Sequence, residues 1–447
     1  MSNLTIYKKL ILPSHVSAQS ILQALNELTH VIFLQDIAQP VIGLLSTYCQ
    51  IISKGELKTY VRQDLQTYIE CNDARGLNFN FNNRQDSPNT GFTGGVMGFI
   101  GYDFAAKQRI QLNTKDQPNL FLGDFQSYLK LEAEGWTFYS HEAIAHDIYE
   151  HVLQLLHKNS THSTSFGLTT ICQARWNKAQ YQHAFDQVQE YIKAGDCYQI
   201  NLTQEFTASA QGRLLDTAEQ FWTLTNAPYA GYLRIDNFEL LSCSPELFID
   251  FAANRKIITK PIKGTMPRFD DPIRDAESKQ KLQDSKKDQA ENVMIVDLLR
   301  NDLSVYAETG SVNTPKLFNI ESFNQVHHMV SEVEATLKAE VNPFEMLLSA
   351  LPGGSITGAP KIRAMQIIEE LEGAPRGAYC GSLGYFNEDG TGSWNILIRS
   401  IQKYQNDVSI WAGGGITIAS DCDAEYQECF DKVEAMLNLL NTWYTPE

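Results

Sequence analysis

Apolar positions along this chain recur with two different spacings. Residues 145–156, 180–194, 288–303, 360–371 and 425–440 carry them three and four apart, which predicts helices with one buried stripe. Residues 136–139, 198–206, 379–386 and 394–404 read as strands, and 240–251 with 255–262 reads as a hairpin of strands. Strands arrive in clusters, with helices set between the clusters. That order predicts an α+β fold of large antiparallel β-sheets packed with helices, in preference to a parallel doubly wound sheet. The stretch 158–165, KNSTHSTS, is the most polar and least periodic. It is the expected junction between an N-terminal region, 1–157, and a C-terminal region, 168–447, intertwined in one globular unit. Residues 91–101, GFTGGVMGFIG, are dense in glycine but lack the G-x-x-x-x-G-K-[ST] spacing of a phosphate loop, so tight strand packing is expected there.

With 447 residues, 43% of them hydrophobic, the chain can bury a large core. Its formal net charge of -17 argues against nucleic acid or an anionic membrane as the main partner, because like charges repel. A small anion is still allowed, since one pocket can be positive on an acidic surface. The eight cysteines contain no C-x-x-C pair, which indicates neither a zinc site nor a disulfide framework. They are expected to be small buried hydrophobes in a reducing compartment. The N-terminal MSNLTIYKKLILPSH has too short an apolar run for a signal peptide, and no stretch reaches transmembrane length. A cytoplasmic protein is the expectation.

Candidate chemistry starts with carboxylates. Asp288 and Glu291 lie three apart on one predicted helix and share a face. A helical projection puts Glu291 among Met294, Ile295, Leu298 and Leu299, where a bare carboxylate is costly unless protonated, paired or bound to a metal. Glu425 and Glu428 repeat the spacing beside Phe430, Val433 and Met436. Two such pairs offer oxygen ligands that suit Mg2+ better than zinc, although helical acids are commonly just solvated.

The run from Pro352 to Lys361, PGGSITGAPK, leads straight into an amphipathic helix, with Pro360 suited to the first helical position. Its glycines either let backbone amides approach an anion or simply serve a tight connection. Arg399 interrupts an apolar strand at 396–401, as a buried carboxylate-binding guanidinium would.

From Gln180 to Leu440 the chain resembles the chorismate-utilising enzymes, through segments in one order: DCYQINLTQEF, SCSPELFI, KPIKGTMPR, AENVMIVDLLRNDL, FNQVHHMVS, LPGGSITGAPKIRAMQIIEELE, YCGSLGY, ILIRSI and AGGGITIAS…AEYQECFDKV. The resemblance implies that Glu291 and Glu428 are direct Mg2+ ligands, with Asp288 and Glu425 acting through metal-bound waters. The metal would hold the ring carboxylate of chorismate. Tyr379 and Arg399 would bind the enolpyruvyl carboxylate, and backbone amides near Gly354, Ser355, Thr357 and Gly358 and near Gly414 and Gly415 would complete the anion sites. Glu246 would protonate the departing 4-hydroxyl. His328 would lie near the reacting ring, with a satisfied structural histidine as the alternative.

Two positions separate branches of the family. Members that add water to chorismate place a lysine base where this chain has Gln199, and glutamine cannot deprotonate water. Anthranilate synthases usually have alanine where this chain has Lys263; lysine there marks the branch that aminates chorismate to 4-amino-4-deoxychorismate, on the way to 4-aminobenzoate and folate. Beside a metal and a guanidinium the lysine's charged form is disfavoured, which leaves free amine to attack ring C2. The alternative is a Lys263 that only pairs with substrate carboxylate. Ala419 and Met266 depart from common family residues, at positions without an assigned catalytic role. Leu44-Leu45-Ser46 resembles a tryptophan site of relatives only weakly. Because no glutaminase motif is recognisable, ammonia is expected from a separate glutamine amidotransferase subunit, and little chain follows the last helix for a fused lyase. The rival readings are anthranilate synthase chemistry and a non-catalytic protein that binds chorismate or tryptophan.

Overall fold

A computed structural model describes residues 6–36, 39–72, 77, 79–81, 91–158, 165–322 and 326–446. Residues 159–164 of the polar junction, the first five of the N-terminal run and 323–325 of the FNQVHHMVS segment lie outside them. Two large sheets, of 13 and 12 strands, form the body, and every ladder between their strands is antiparallel. The α+β expectation holds. Strands from before and after the polar junction share both sheets: His30–Leu34 pairs with Tyr229–Ile235 in the first, and Gly95–Ile100 with Ser382–Asn387 in the second.

Side-chain alternation explains the layering. In the strand Phe238–Ser244, Phe238 and Leu240 point between the sheets, while Leu241 and Cys243 face the helices outside. Both faces are covered, so the strand reads as an unbroken buried run. The inter-sheet core also takes Ile32, Val41, Met97, Phe99, Phe121 and Leu383. Gly98 shows why the 91–101 segment is glycine-dense. A Cβ there would lie 1.9 Å from the Phe121 carbonyl oxygen of the neighbouring strand.

Most predicted helices form with small shifts: Ala145–His157, Lys178–Ala194, Lys286–Ser304 and Lys361–Glu372. Asn177 caps the second with a capping box, and Ser285 caps the third through the Asp288 amide. Pro360 is the N-cap residue of its helix, one place before the first helical position expected for it. The C-terminal helix predicted at 425–440 is two, Cys422–Asp431 and Glu434–Asn441, with the break at Lys432 and Val433. All eight cysteines are free, and no helix among the described residues is long and apolar enough to cross a membrane.

One buried ion pair ties the helix Lys361–Glu372 to the first sheet. The Arg376 guanidinium donates to both Glu372 oxygens, at 2.8 and 2.6 Å, and to the carbonyls of Ile356 (3.0 Å) and Asn201 (2.8 Å). Glu372 in turn accepts from the Thr203 amide and hydroxyl. Removing one partner strands the other charge in the core, so Arg376→Met should cost about 3–5 kcal/mol in urea unfolding. The double variant Arg376→Met, Glu372→Gln should cost less than the single one. An Arg376→Met protein as stable as the parent would contradict this account.

Candidate active site

The sequence pattern predicts one continuous strand at 240–251 and another at 394–404. The structure splits both. Phe238–Ser244 belongs to the first sheet and Leu247–Phe251 to the second, so Pro245 and Glu246 carry the chain across. Gly392–Asn395 and Ser400–Tyr404 are separated in the same way by residues 396–399. The two crossings lie side by side: the Ile396 amide donates to the Glu246 carbonyl at 3.1 Å, and the Cys243 amide to the Arg399 carbonyl at 3.0 Å. Arg399 is thus not a strand residue. It sits in the crossing with a left-handed backbone, φ 49°.

At this seam opens a cleft of about 520 Å³. It brings together Glu246, Lys263, His328, Tyr379, Arg399, Ser355, Gly415 and all four helical carboxylates, Asp288, Glu291, Glu425 and Glu428. Gln199, Gly354, Thr357, Gly358 and Gly414 are not among the residues that line it. The Thr357 hydroxyl is used on the Gly353 carbonyl, at 2.9 Å. Gly358 pairs with Ile200 at φ 142°, where a Cβ would lie 2.1 Å from the Gln199 carbonyl oxygen. A Cβ on Gly414 would crowd Glu425 and Glu428, at 2.9 and 3.0 Å from their oxygens. Glu291 is half-buried on the cleft wall, not sunk in the apolar arc of its helix.

Burial pushes the Glu246 carboxyl up to about 7, against the pull of Lys263 and an Ile262 backbone hydrogen bond. Lys263 is shifted the other way: burial lowers its amine, and Lys432 adds to the effect against Glu291 and Glu246. The pair therefore holds a carboxyl able to give a proton and an amine able to lose one. Burial and then Arg399 lower His328 to about 4, so the imidazole is neutral at pH 7. Its Nδ1 lies 2.8 Å from the Thr265 hydroxyl, directly across the strand pair. Tyr379 stacks on Trp411, with centroids 5.8 Å apart, and burial raises its phenol well above the ordinary value.

Four carboxylates on two helices offer hard oxygen donors, chemically suited to a divalent cation such as Mg2+. Among the described residues they do not form a tight ligand cluster. Two lysines stand on these carboxylates: Lys432 Nζ is 2.6 Å from Glu428 and Lys287 Nζ 4.0 Å from Glu291. Both were missed in the sequence, although each lies four residues from its carboxylate along a helix. Thr265 was missed too, two residues beyond Lys263 on one strand, as was Trp411, whose indole N–H is buried without a partner. The stretch Leu44-Leu45-Ser46 is buried away from the cleft, where Tyr68 donates to the Ser46 carbonyl at 2.9 Å.

A proton donor, a depressed lysine and a guanidinium around a carboxylate-rich cleft define an enzyme for a small anionic substrate. The chain belongs to the chorismate binding enzyme family, whose pattern it matches over residues 30–438. It is 38% identical over 415 residues to aminodeoxychorismate synthase component 1 of Escherichia coli, covering 90% of this chain and 89% of that one. The corresponding protein of Klebsiella aerogenes is 40% identical, with 80% of each chain covered. Among solved structures, anthranilate synthase component I from Streptococcus pneumoniae superposes with a TM-score of 0.75 at 25% identity, covering 89% of this chain and 91% of that one.

Glu246 makes a pH-dependent stability test. Its ordinary value is 4.5 and its folded value about 7. Between these the unfolded chain has released the proton while the folded chain keeps it, so this carboxyl lowers stability as pH rises to 7, by up to ~3 kcal/mol. Glu246→Gln removes that dependence. Its stability relative to the parent, measured by urea unfolding, should rise between pH 4.5 and 7 and then level off. A difference unchanged across that range would rule out the burial argument.

Proposed function

We propose that this protein is the chorismate-aminating component of an aminodeoxychorismate synthase, forming 4-amino-4-deoxychorismate from chorismate and ammonia. The observation that carries the reading is Lys263: a half-buried lysine with a depressed amine, sharing a cleft with a carboxyl that keeps its proton near neutrality. Identity to component 1 enzymes over 80–90% of the chain supports it. In the proposed reaction the Lys263 amine forms a bond to ring C2 while the C4–O bond breaks and Glu246 gives the leaving hydroxyl its proton, releasing water. Ammonia then forms the C4–N bond as the C2–N bond to Lys263 breaks, and the new ammonium returns a proton to Glu246. A lysine at C2 leaves C4 for ammonia. Anthranilate chemistry needs the nitrogen at C2 instead.

The cleft lining holds six carboxylates, Glu246, Asp288, Glu291, Glu425, Glu428 and Asp431, against four cations, Lys263, Lys287, Arg399 and Lys432. With Glu246 protonated, Lys263 a free amine and His328 neutral, as the reaction requires, five carboxylates face three cations, and the surplus of two negative charges would repel a dianion. Mg2+ is the proposed cofactor: when bound by Glu291 and Glu428, with Asp288 and Glu425 through waters, it supplies two positive charges and an oxygen-seeking centre for a carboxylate. Arg399 and Tyr379 would take the second carboxylate, and Trp411 would support the Tyr379 ring. Further proposals are a glutamine amidotransferase subunit as the ammonia source, a cytoplasmic setting, and a product bound for 4-aminobenzoate and folate. Tryptophan is a further proposed ligand, at the Leu44–Ser46 stretch, where Tyr68 donates to the Ser46 carbonyl.

Purified protein incubated with chorismate, Mg2+ and ammonium should yield an aminated chorismate that keeps its enolpyruvyl group, identified by mass. Anthranilate with pyruvate would decide for the rival chemistry. Glu246→Gln should lower kcat by about 10²–10⁴-fold. Lys263→Ala should abolish both turnover and any protein-bound adduct, and amination at C4 persisting at the parent rate would refute the nucleophile.

A further inference from the structure

Lys432 is placed more firmly than a surface lysine needs to be. It follows the last residue of the helix Cys422–Asp431, and its amine is held between Glu428 Oε1 at 2.6 Å and the Gly413 carbonyl at 2.7 Å. Both side chains of the pair are about 40% exposed, so its contribution to folding is small, about 0–1 kcal/mol. Its effect on the cleft is larger. The amine occupies an oxygen of a carboxylate that a divalent cation would need, and it puts a positive charge beside that site. Lys287 stands the same way toward Glu291, but further off at 4.0 Å and more exposed.

We propose that Lys432 is an exchangeable counter-ion. It neutralises Glu428 before a divalent cation binds and is released toward a substrate carboxylate when cation and dianion bind together. The inference rests on the magnesium reading above and assigns a role that reading does not contain. A cation arriving alone must displace the lysine and leave two positive centres side by side. A dianion arriving with it gives the lysine a new partner. Lys432 therefore weakens binding of the cation by itself and couples it to the substrate, and the coupling acts equally in both directions.

The test is Mn2+ binding, as a probe for the Mg2+ position, measured on the full chain by the loss of the free-ion electron paramagnetic resonance signal. Titrations run with and without chorismate and without ammonia. In the parent, chorismate should tighten Mn2+ binding by on the order of fivefold or more. Lys432→Met should bind Mn2+ more tightly than the parent when alone, and chorismate should tighten it by a smaller factor than in the parent. Lys432→Arg should behave as the parent, and Lys287→Met should show a smaller gain than Lys432→Met. Glu291→Gln, the site control, should lose the binding. If Lys432→Met leaves Mn2+ affinity unchanged or weaker while Glu291→Gln abolishes it, the counter-ion role is wrong and the metal reading stands. If the parent shows no Glu291-dependent Mn2+ binding even with chorismate, both fall. Lys432→Gln, with the same expectation, covers the case in which methionine unsettles the helix break.

Discussion

Where the chain steps from one sheet to the other at Pro245–Glu246, and again at residues 396–399, two backbone hydrogen bonds tie the steps together. A strand entering a crossing loses its ladder partners for a few residues, and buried amides and carbonyls must find others. Here each crossing supplies partners for the other. The side chains at the crossings are then released from the in-and-out alternation of a strand. Glu246 and Arg399 use that freedom to face one cleft, Arg399 with a backbone twist that a regular strand would not allow.

The elements around the seam bring their charges to it at fixed angles. Lys263 comes from the strand Ile262–Pro267, Glu291 from the helix Lys286–Ser304, and Glu425 and Glu428 from the helix Cys422–Asp431. The Arg376–Glu372 pair, anchored to the Asn201 and Ile356 carbonyls, keeps the turn at 354–356 and the strand Gln199–Gln211 together behind the wall. That pair is closed to solvent, with four hydrogen bonds from the guanidinium. The cleft charges are the opposite case: among the protein's own side chains their mutual balance is incomplete. Desolvation that would be wasteful in a structural pair here separates a proton donor from an amine.

Much of this was legible along the chain. Helical periodicity located the four long helices because each buries one stripe, and clustered strand signals were enough for antiparallel α+β. The carboxylate spacings 288/291 and 425/428 were visible as helix-face pairs, and the ordered motifs pointed to the chorismate-utilising family. Boundaries failed where burial is two-sided. In ELLSCSPELFIDF only Pro245, which cannot donate to a ladder, marks a break, and the apolar, covered residues on both sides of it hide the change of sheet. The same holds for TGSWNILIRSIQKY around 396–399. The helix break at Lys432 was equally hidden, because the apolar period continues through it.

By itself the sequence determined which groups were available and near what local element: two acid pairs on helices, a lysine just past a strand, a glycine-rich turn before a helix. These depend on spacing of a few residues, and short-range geometry sets them. Only the tertiary structure decided that Glu246 and Arg399 are crossing residues, that Glu291 opens on a cleft, and that Lys287 and Lys432 stand on the carboxylates a cation would claim. Such facts depend on which surfaces meet across hundreds of residues, and on the desolvation and neighbouring charge that the meeting creates.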